Sequence, residues 1–366
     1  MAGARTPDQL GTSPRRDPGD LLGDLVPPGP GTLEPVAYSF GSPATGGLYR
    51  LRGEGWTWFC KVLHHVRHWP GLVMMPPEQA EHFAANLPWR SELEMWDEPW
   101  ASTVPEGMRL PLLHRVVDLG DDRLAVWMEA VEESPTPWDL DRYARAAHLL
   151  GRWNARCADP ALLALSPYPR GFALRMYAER AVPDRGLGPL RSELWQHPWL
   201  AGHGDLRVDL LRLGDRIPAL LDRLDSFVQA MPHGDASPQN LLVPAEDPDT
   251  FVVIDVSFRT PHALGFDLGQ LLVGLTHADA VPVSQLPGIA ARIVPAYLDG
   301  LAQEGLTGHD DAVREAFVTV ALLRSGFDPF LYELLDSDRP GDRETFDERV
   351  ALSRFLVGQL HALQES

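Results

Sequence analysis

The chain all but lacks lysine. Of its 32 basic residues one is a lysine, Lys61, and the other 31 are arginines. Cysteine is nearly as scarce. The two present, Cys60 and Cys157, lie far apart and form no CxxC pair, which excludes a disulfide framework or a cysteine zinc cluster and fits a reducing compartment. No apolar run approaches the length of a membrane span, and the N-terminal stretch lacks the apolar core of a signal peptide, so a cytoplasmic protein is expected. Positive charge is in deficit as well. A net charge of −19 repels nucleic acid and anionic membranes as main partners and favours a cationic small molecule. Asparagine is confined to Asn86, Asn154 and Asn240.

What is present reads as a globular chain. Its 366 residues, 44% of them hydrophobic, can bury a sizeable core and suit two domains. Residues 1–31 are rich in Pro, Gly and Asp with little to bury, and are expected to form a mostly disordered tail. From Val36 the runs VAYSF, GLYRLRG and WTWFCKVL predict an antiparallel three-strand meander. WRSELEMWDEPWAS predicts a helix, and LLHRVVDLG and RLAVWMEAV two more strands joined by a turn at Asp121 and Asp122. After a break at VEESPTP the period changes. In WDLDRYARAAHLLGRWNARC, Leu140, Tyr143, Ala147, Leu150 and Trp153 share one helical face. The expected division is therefore a β-rich lobe over residues 32–131 and a mainly helical lobe over 132–366, interrupted by two short strands, LLV and FVVIDV.

Lys61 lies in the apolar strand WTWFCKVL, where an isolated charge is costly. A compact point charge on a flexible stem differs from arginine's planar fork and suits a phosphate ester. A second constellation is HGDASPQN, residues 233–240, followed by a strand ending at Asp255. Two carboxylates and an amide oxygen are hard donors of the type that Mg²⁺ accepts, and Asp235 can take a proton from a hydroxyl while Asn240 and Asp255 hold the metal.

D-x-x-x-x-N followed by a strand-end Asp resembles the catalytic layout of the protein kinases, and HGDxxxxN is similar to the aminoglycoside phosphotransferase and choline kinase branch. The resemblance spans about residues 36–330 and implies an α+β, protein-kinase-like two-lobed fold using ATP and Mg²⁺. It implies Asp235 as catalytic base, Asn240 and Asp255 as metal ligands, and Lys61 on the α- and β-phosphates. Glu92 is preferred over Glu94 as the helix partner of Lys61. SFGSPATGGLYRLRG resembles the phosphate-covering hairpin, with Gly46 and Gly47 at the nucleotide; Met128, Glu129, Ala130 and Val131 would lie beside adenine. GFDLGQLL also resembles the family, with Asp267 bracing the catalytic loop. The chain departs from the family in having Val256-Ser257 after Asp255, where tryptophan is frequent.

Other motifs carry blander expectations. A second His-Gly-Asp at 203–205 has Leu210 where an Asn is needed, so His203 and Asp205 read as loop residues. His64, His65 and His68 read as surface or packing histidines rather than a metal site, and His233 as a residue whose ring holds the loop backbone. Cys60 should face away from Lys61. The reading that results is an ATP- and Mg-dependent O-phosphotransferase of a small hydroxylated, amine-bearing molecule. Its rivals are a kinase of a neutral sugar or other metabolite and an inactive nucleotide-binding pseudokinase.

Overall fold

The computed structural model describes residues 10–39, 42–256 and 259–365. The chain divides into two compact units. The first comprises residues 1–102, 106–135 and 242–257, and the second residues 103–105, 136–241 and 258–366. The expected division at 131/132 is thus not a single cut. The strand Phe251–Val253 pairs in parallel with a short strand at Met108–Arg109, and Val243 O and Glu132 O accept from Ser134 N and Ala245 N. These backbone bonds draw Asp255 into the first unit.

The first unit is built on an antiparallel sheet. Its strands in chain order are β1 (Leu10–Thr12), β2 (Gly31–Ser39), β3 (Thr45–Gly53) and β4 (Trp56–His64). After the Met108–Arg109 strand, β5, come β6 (Leu113–Gly120) and β7 (Arg123–Glu129); the sheet order is β1-β2-β3-β4-β7-β6. The expected meander and the later strand pair are all present. Asp121 and Asp122 both have φ +53°, the double left-handed geometry of a tight hairpin turn, which aspartate tolerates better than most residues.

Both faces of this sheet are apolar. Tyr49, Leu51, Cys60, Val62, Ala125 and Trp127 line one, while Leu63, Val126 and Met128 line the other. The first face is covered by residues expected to be disordered. Pro18–Leu22 is a short helix, Leu21 is fully buried in that cluster, and Trp127 Nε1 donates to Leu21 O at 2.7 Å. Ser13 is buried as well: its hydroxyl donates to Val36 O and accepts from Leu48 N, where β2 and β3 part. The expected tail is therefore wrong over residues 10–31, because a sheet apolar on both faces needs a cover that low complexity alone does not reveal. Residues 1–9 of that expectation lie outside the described residues. The other face is covered by Ser91–Trp96, which is a 3₁₀ turn rather than an α-helix. The helix Pro77–Asn86 was not anticipated; it buries no residue, so it left little apolar signal.

The second unit is helical. The helix Leu140–Arg156 starts at an Asp139 cap, whose carboxylate accepts from Arg142 N at 2.8 Å. Tyr143, Ala147, Leu150 and Trp153 are buried as the period predicts, whereas Leu140 at its first position is exposed. It packs closely on the helix Leu286–Gln303: a Cβ at Gly151 would lie 2.2 Å from Tyr297 O, and one at Gly300 2.0 Å from His148 O. Among the described residues no helix is long and apolar enough to cross a membrane.

Candidate functional site

In the first unit Lys61 lies in the middle of the sheet, opposite Leu48 of β3 and Val126 of β7. Strand alternation turns it to the face covered by Ser91–Trp96, and turns Cys60 to the opposite cluster. Lys61 is 8% exposed. It bonds Glu92 Oε2 at 2.6 Å and Asp255 Oδ1 at 2.8 Å. Glu92, and not Glu94, is thus the carboxylate of this turn that reaches Lys61. Burial alone pushes the ammonium down, but Asp255 and Glu92 outweigh it and hold Lys61 above the usual lysine range. Burial raises Glu92, and Lys61 opposes that rise.

Asp255 has φ +53°. A non-glycine residue in the left-handed region just past a strand is a local cost, of the kind held in place at functional sites by the surrounding packing. Val256 beside it is buried, which anchors the turn.

Gly46 and Gly47 lie within β3, at a break in its register with β4. A Cβ at Gly46 would lie 3.0 Å from His64 Nδ1, and one at Gly47 2.9 Å from the Tyr49 ring, so packing beneath the strand already demands small residues there. Phe40 and Gly41 of the same segment lie outside the described residues. Glu129 ends β7; its carboxylate pairs with Arg109 at 2.7 Å and accepts from Leu112 N at 2.9 Å, and Val131 follows half-buried. The Glu129 carboxylate is thus engaged by its neighbours.

In the second unit a buried network holds the loop His233–Asn240. Asp267, fully buried near the start of the helix Phe266–His277, accepts from His233 N at 3.0 Å and Gly234 N at 2.9 Å. Asn154 Nδ2 donates to Asp267 Oδ2, Tyr297 OH donates to Asn154 Oδ1, and Gly265 N donates to Tyr297 OH. The His233 ring accepts from Asp235 N at 3.2 Å through Nδ1. Asn240 Nδ2 donates to Asp235 O at 2.8 Å and to Asp235 Oδ2 at 3.2 Å. Asp235 Oδ1 is held at 3.0 Å by Arg324, a residue sequence reasoning missed. It is one of 31 arginines, with no local pattern to mark it.

The remaining candidates make local contacts. His64 Nε2 bonds Pro43 O at 3.1 Å and His68 Nε2 bonds Asp121 O at 2.7 Å. Among the described residues no group of three His, Cys, Asp or Glu is placed to hold a metal. His203 and Asp205 are not in a loop: they open the helix Gly204–Asp215, and Asp205 pairs with Arg354. The helix-start geometry was hidden by the repeated tripeptide.

No known family model matches the chain, and no curated protein does. Solved structures do. A spectinomycin phosphotransferase in complex with ADP and spectinomycin superposes with TM-score 0.52 at 11% identity, covering 91% of this chain and 93% of its own. An aminoglycoside phosphotransferase from Alicyclobacillus acidocaldarius gives TM-score 0.52 at 13% identity over 87% and 89%. A microcompartment-associated aminopropanol kinase gives 0.51 at 15% over 91% and 94%. The chain therefore has the fold of the aminoglycoside phosphotransferases and related small-molecule kinases, α+β with a β-rich unit and a larger helical one.

Proposed function

We propose that the protein is an ATP-dependent O-phosphotransferase of a small, amine-bearing alcohol. The observation that carries this reading is Lys61: the chain places its one ammonium in a sheet interior, between two carboxylates, on a fold shared with small-molecule kinases. In this reading the nucleotide phosphates replace Asp255 as one partner of Lys61, while Glu92 keeps the ammonium aimed. Gly46 and Gly47 lie against the phosphates, and the main chain at Glu129 and Val131 lies beside the base.

In this reading Asn240 and Asp255 are the residues that would hold the metal. The Asp255 side chain is 43% exposed, and the amide oxygen of Asn240 is a hard donor. Two protein oxygens, with phosphates and water completing the shell, are what Mg²⁺ ordinarily accepts. When bound it neutralises phosphate charge. Asp235, locked in orientation by the loop network, accepts the proton of the acceptor hydroxyl as that oxygen attacks the γ-phosphorus; ADP leaves. The net charge of −19 favours a cationic acceptor, and among similar folds are kinases of spectinomycin and aminopropanol.

The test is a transfer screen with γ-labelled ATP and Mg²⁺ against aminoglycosides, amino alcohols and neutral polyols, with Asp235→Asn alongside. Label on an amine-bearing acceptor, lost in Asp235→Asn while ATP affinity stays within about twofold, supports the reading. Label on neutral polyols alone overturns the amine; nucleotide binding without any product overturns the enzyme in favour of a nucleotide-sensing module.

A further inference from the structure

We infer that Arg324 is a positioning residue for Asp235, setting the direction in which that carboxylate meets the acceptor. The inference rests on the reading of Asp235 as the base. Arg324 lies in the last turn of the helix Asp310–Ser325 and its side chain is 6% exposed. Its fork makes two contacts with adjacent residues of one loop: Nη1 donates to Gly234 O at 2.8 Å, and Nη2 to Asp235 Oδ1 at 3.0 Å.

One rigid plane thus ties the main chain of residue 234 to the side chain of residue 235. A lysine, a point charge, cannot impose that relation. With Asn240 Nδ2 on Oδ2, each oxygen of Asp235 has a donor, and rotation of the carboxylate would break both bonds. The guanidinium is itself seated, with its carbon 5.4 Å from the centre of the Phe266 ring, which stacks on His262 at 4.0 Å. Burial, with Arg324 adding to it, holds His262 down to about 3.

A purely structural tie would need only the arm to Gly234 O. The arm to Oδ1 is the part that bears on chemistry, and the two roles separate by experiment. In the full chain, Arg324→Lys and Arg324→Gln are compared with wild type for acceptor phosphorylation, ATP hydrolysis without acceptor, ATP affinity and amide hydrogen exchange over residues 233–240. The expected result is ATP affinity within about twofold and transfer kcat down about 100-fold with little change in acceptor KM. Hydrolysis should fall less than about 10-fold, because water needs no directed base, and Arg324→Lys should not rescue transfer. Loop exchange should quicken about fivefold or more in Arg324→Gln. Transfer and hydrolysis falling by the same factor would make Arg324 a structural tie and overturn the inference. Should the wild-type chain phosphorylate no acceptor, the functional reading is what fails; unchanged loop exchange in Arg324→Gln overturns the positioning by itself.

Discussion

Replacing Lys61 by methionine separates what the ammonium does for the fold from what it does for chemistry. Methionine nearly conserves length and volume, so little cavity cost arises and the effect reports on charge. The change leaves Glu92, whose side chain is 12% exposed, and Asp255, at 43%, facing each other without their cation. Removing one partner of a buried ion pair costs about 3–5 kcal/mol; the solvent reaching Asp255 lowers this to about 2–4. Urea unfolding followed by tryptophan fluorescence reads the loss at pH 7. Its sign with pH follows from Glu92. Burial already raises that carboxyl, and without Lys61 nothing opposes the rise. A folded-state value above the unfolded one means stability is present at low pH and lost as pH rises through the folded value. The deficit should therefore shrink between pH 7 and pH 5. Lys61→Met/Glu92→Leu should recover most of the stability, because an apolar pair of similar volume replaces a buried ion pair at little net cost. It should recover none of the phosphoryl transfer. A deficit below about 0.5 kcal/mol, or transfer restored in the double variant, would refute the reasoning.

Two further outcomes are expected. Asp267→Asn keeps the shape but turns an amide nitrogen toward either His233 N or Gly234 N, leaving buried donors face to face; a loss of about 2–3 kcal/mol in thermal unfolding and faster exchange at those two amides should result. His262 and His277, buried and held down to about 3, resist protonation in the folded chain while the unfolded chain takes up protons below about 6.5. Their contribution is present above that pH and lost as it falls, by about 1.4 kcal/mol per unit for each. His277→Gln should reduce the slope of stability between pH 6.5 and 5 by about that amount; an unchanged slope would show that His277 does not contribute to it.

The parts legible in the sequence were those with local contrast. Lys61 stood out because an apolar strand surrounds it in a chain otherwise served by arginine, and the strand period fixed its face relative to Cys60. The spacing of Asp235 and Asn240 survives folding, since a five-residue loop lets the amide reach the carboxylate. Glu92 was narrower: alternate residues in a 3₁₀ turn point differently, and only the packing of Ser91–Trp96 on the sheet chose between 92 and 94.

The N-terminal cover shows a different limit. Residues 10–31 read as disordered by composition, but stability was decided by what they cover. Leu21, Leu22 and Leu25 meet Tyr49, Leu51 and Trp127, and the absence of polar alternation in WTWFCKVL was the signal that both sheet faces required a cover. Arg324 had no such signal. Its meaning lies in a contact with a residue 89 positions earlier, made by the last turn of a helix whose sequence would be unremarkable with any long polar side chain there. Local pattern can identify a residue that does chemistry, because the chemistry dictates its type; a residue that aims it is dictated by geometry, and geometry of that range exists only once the chain has folded.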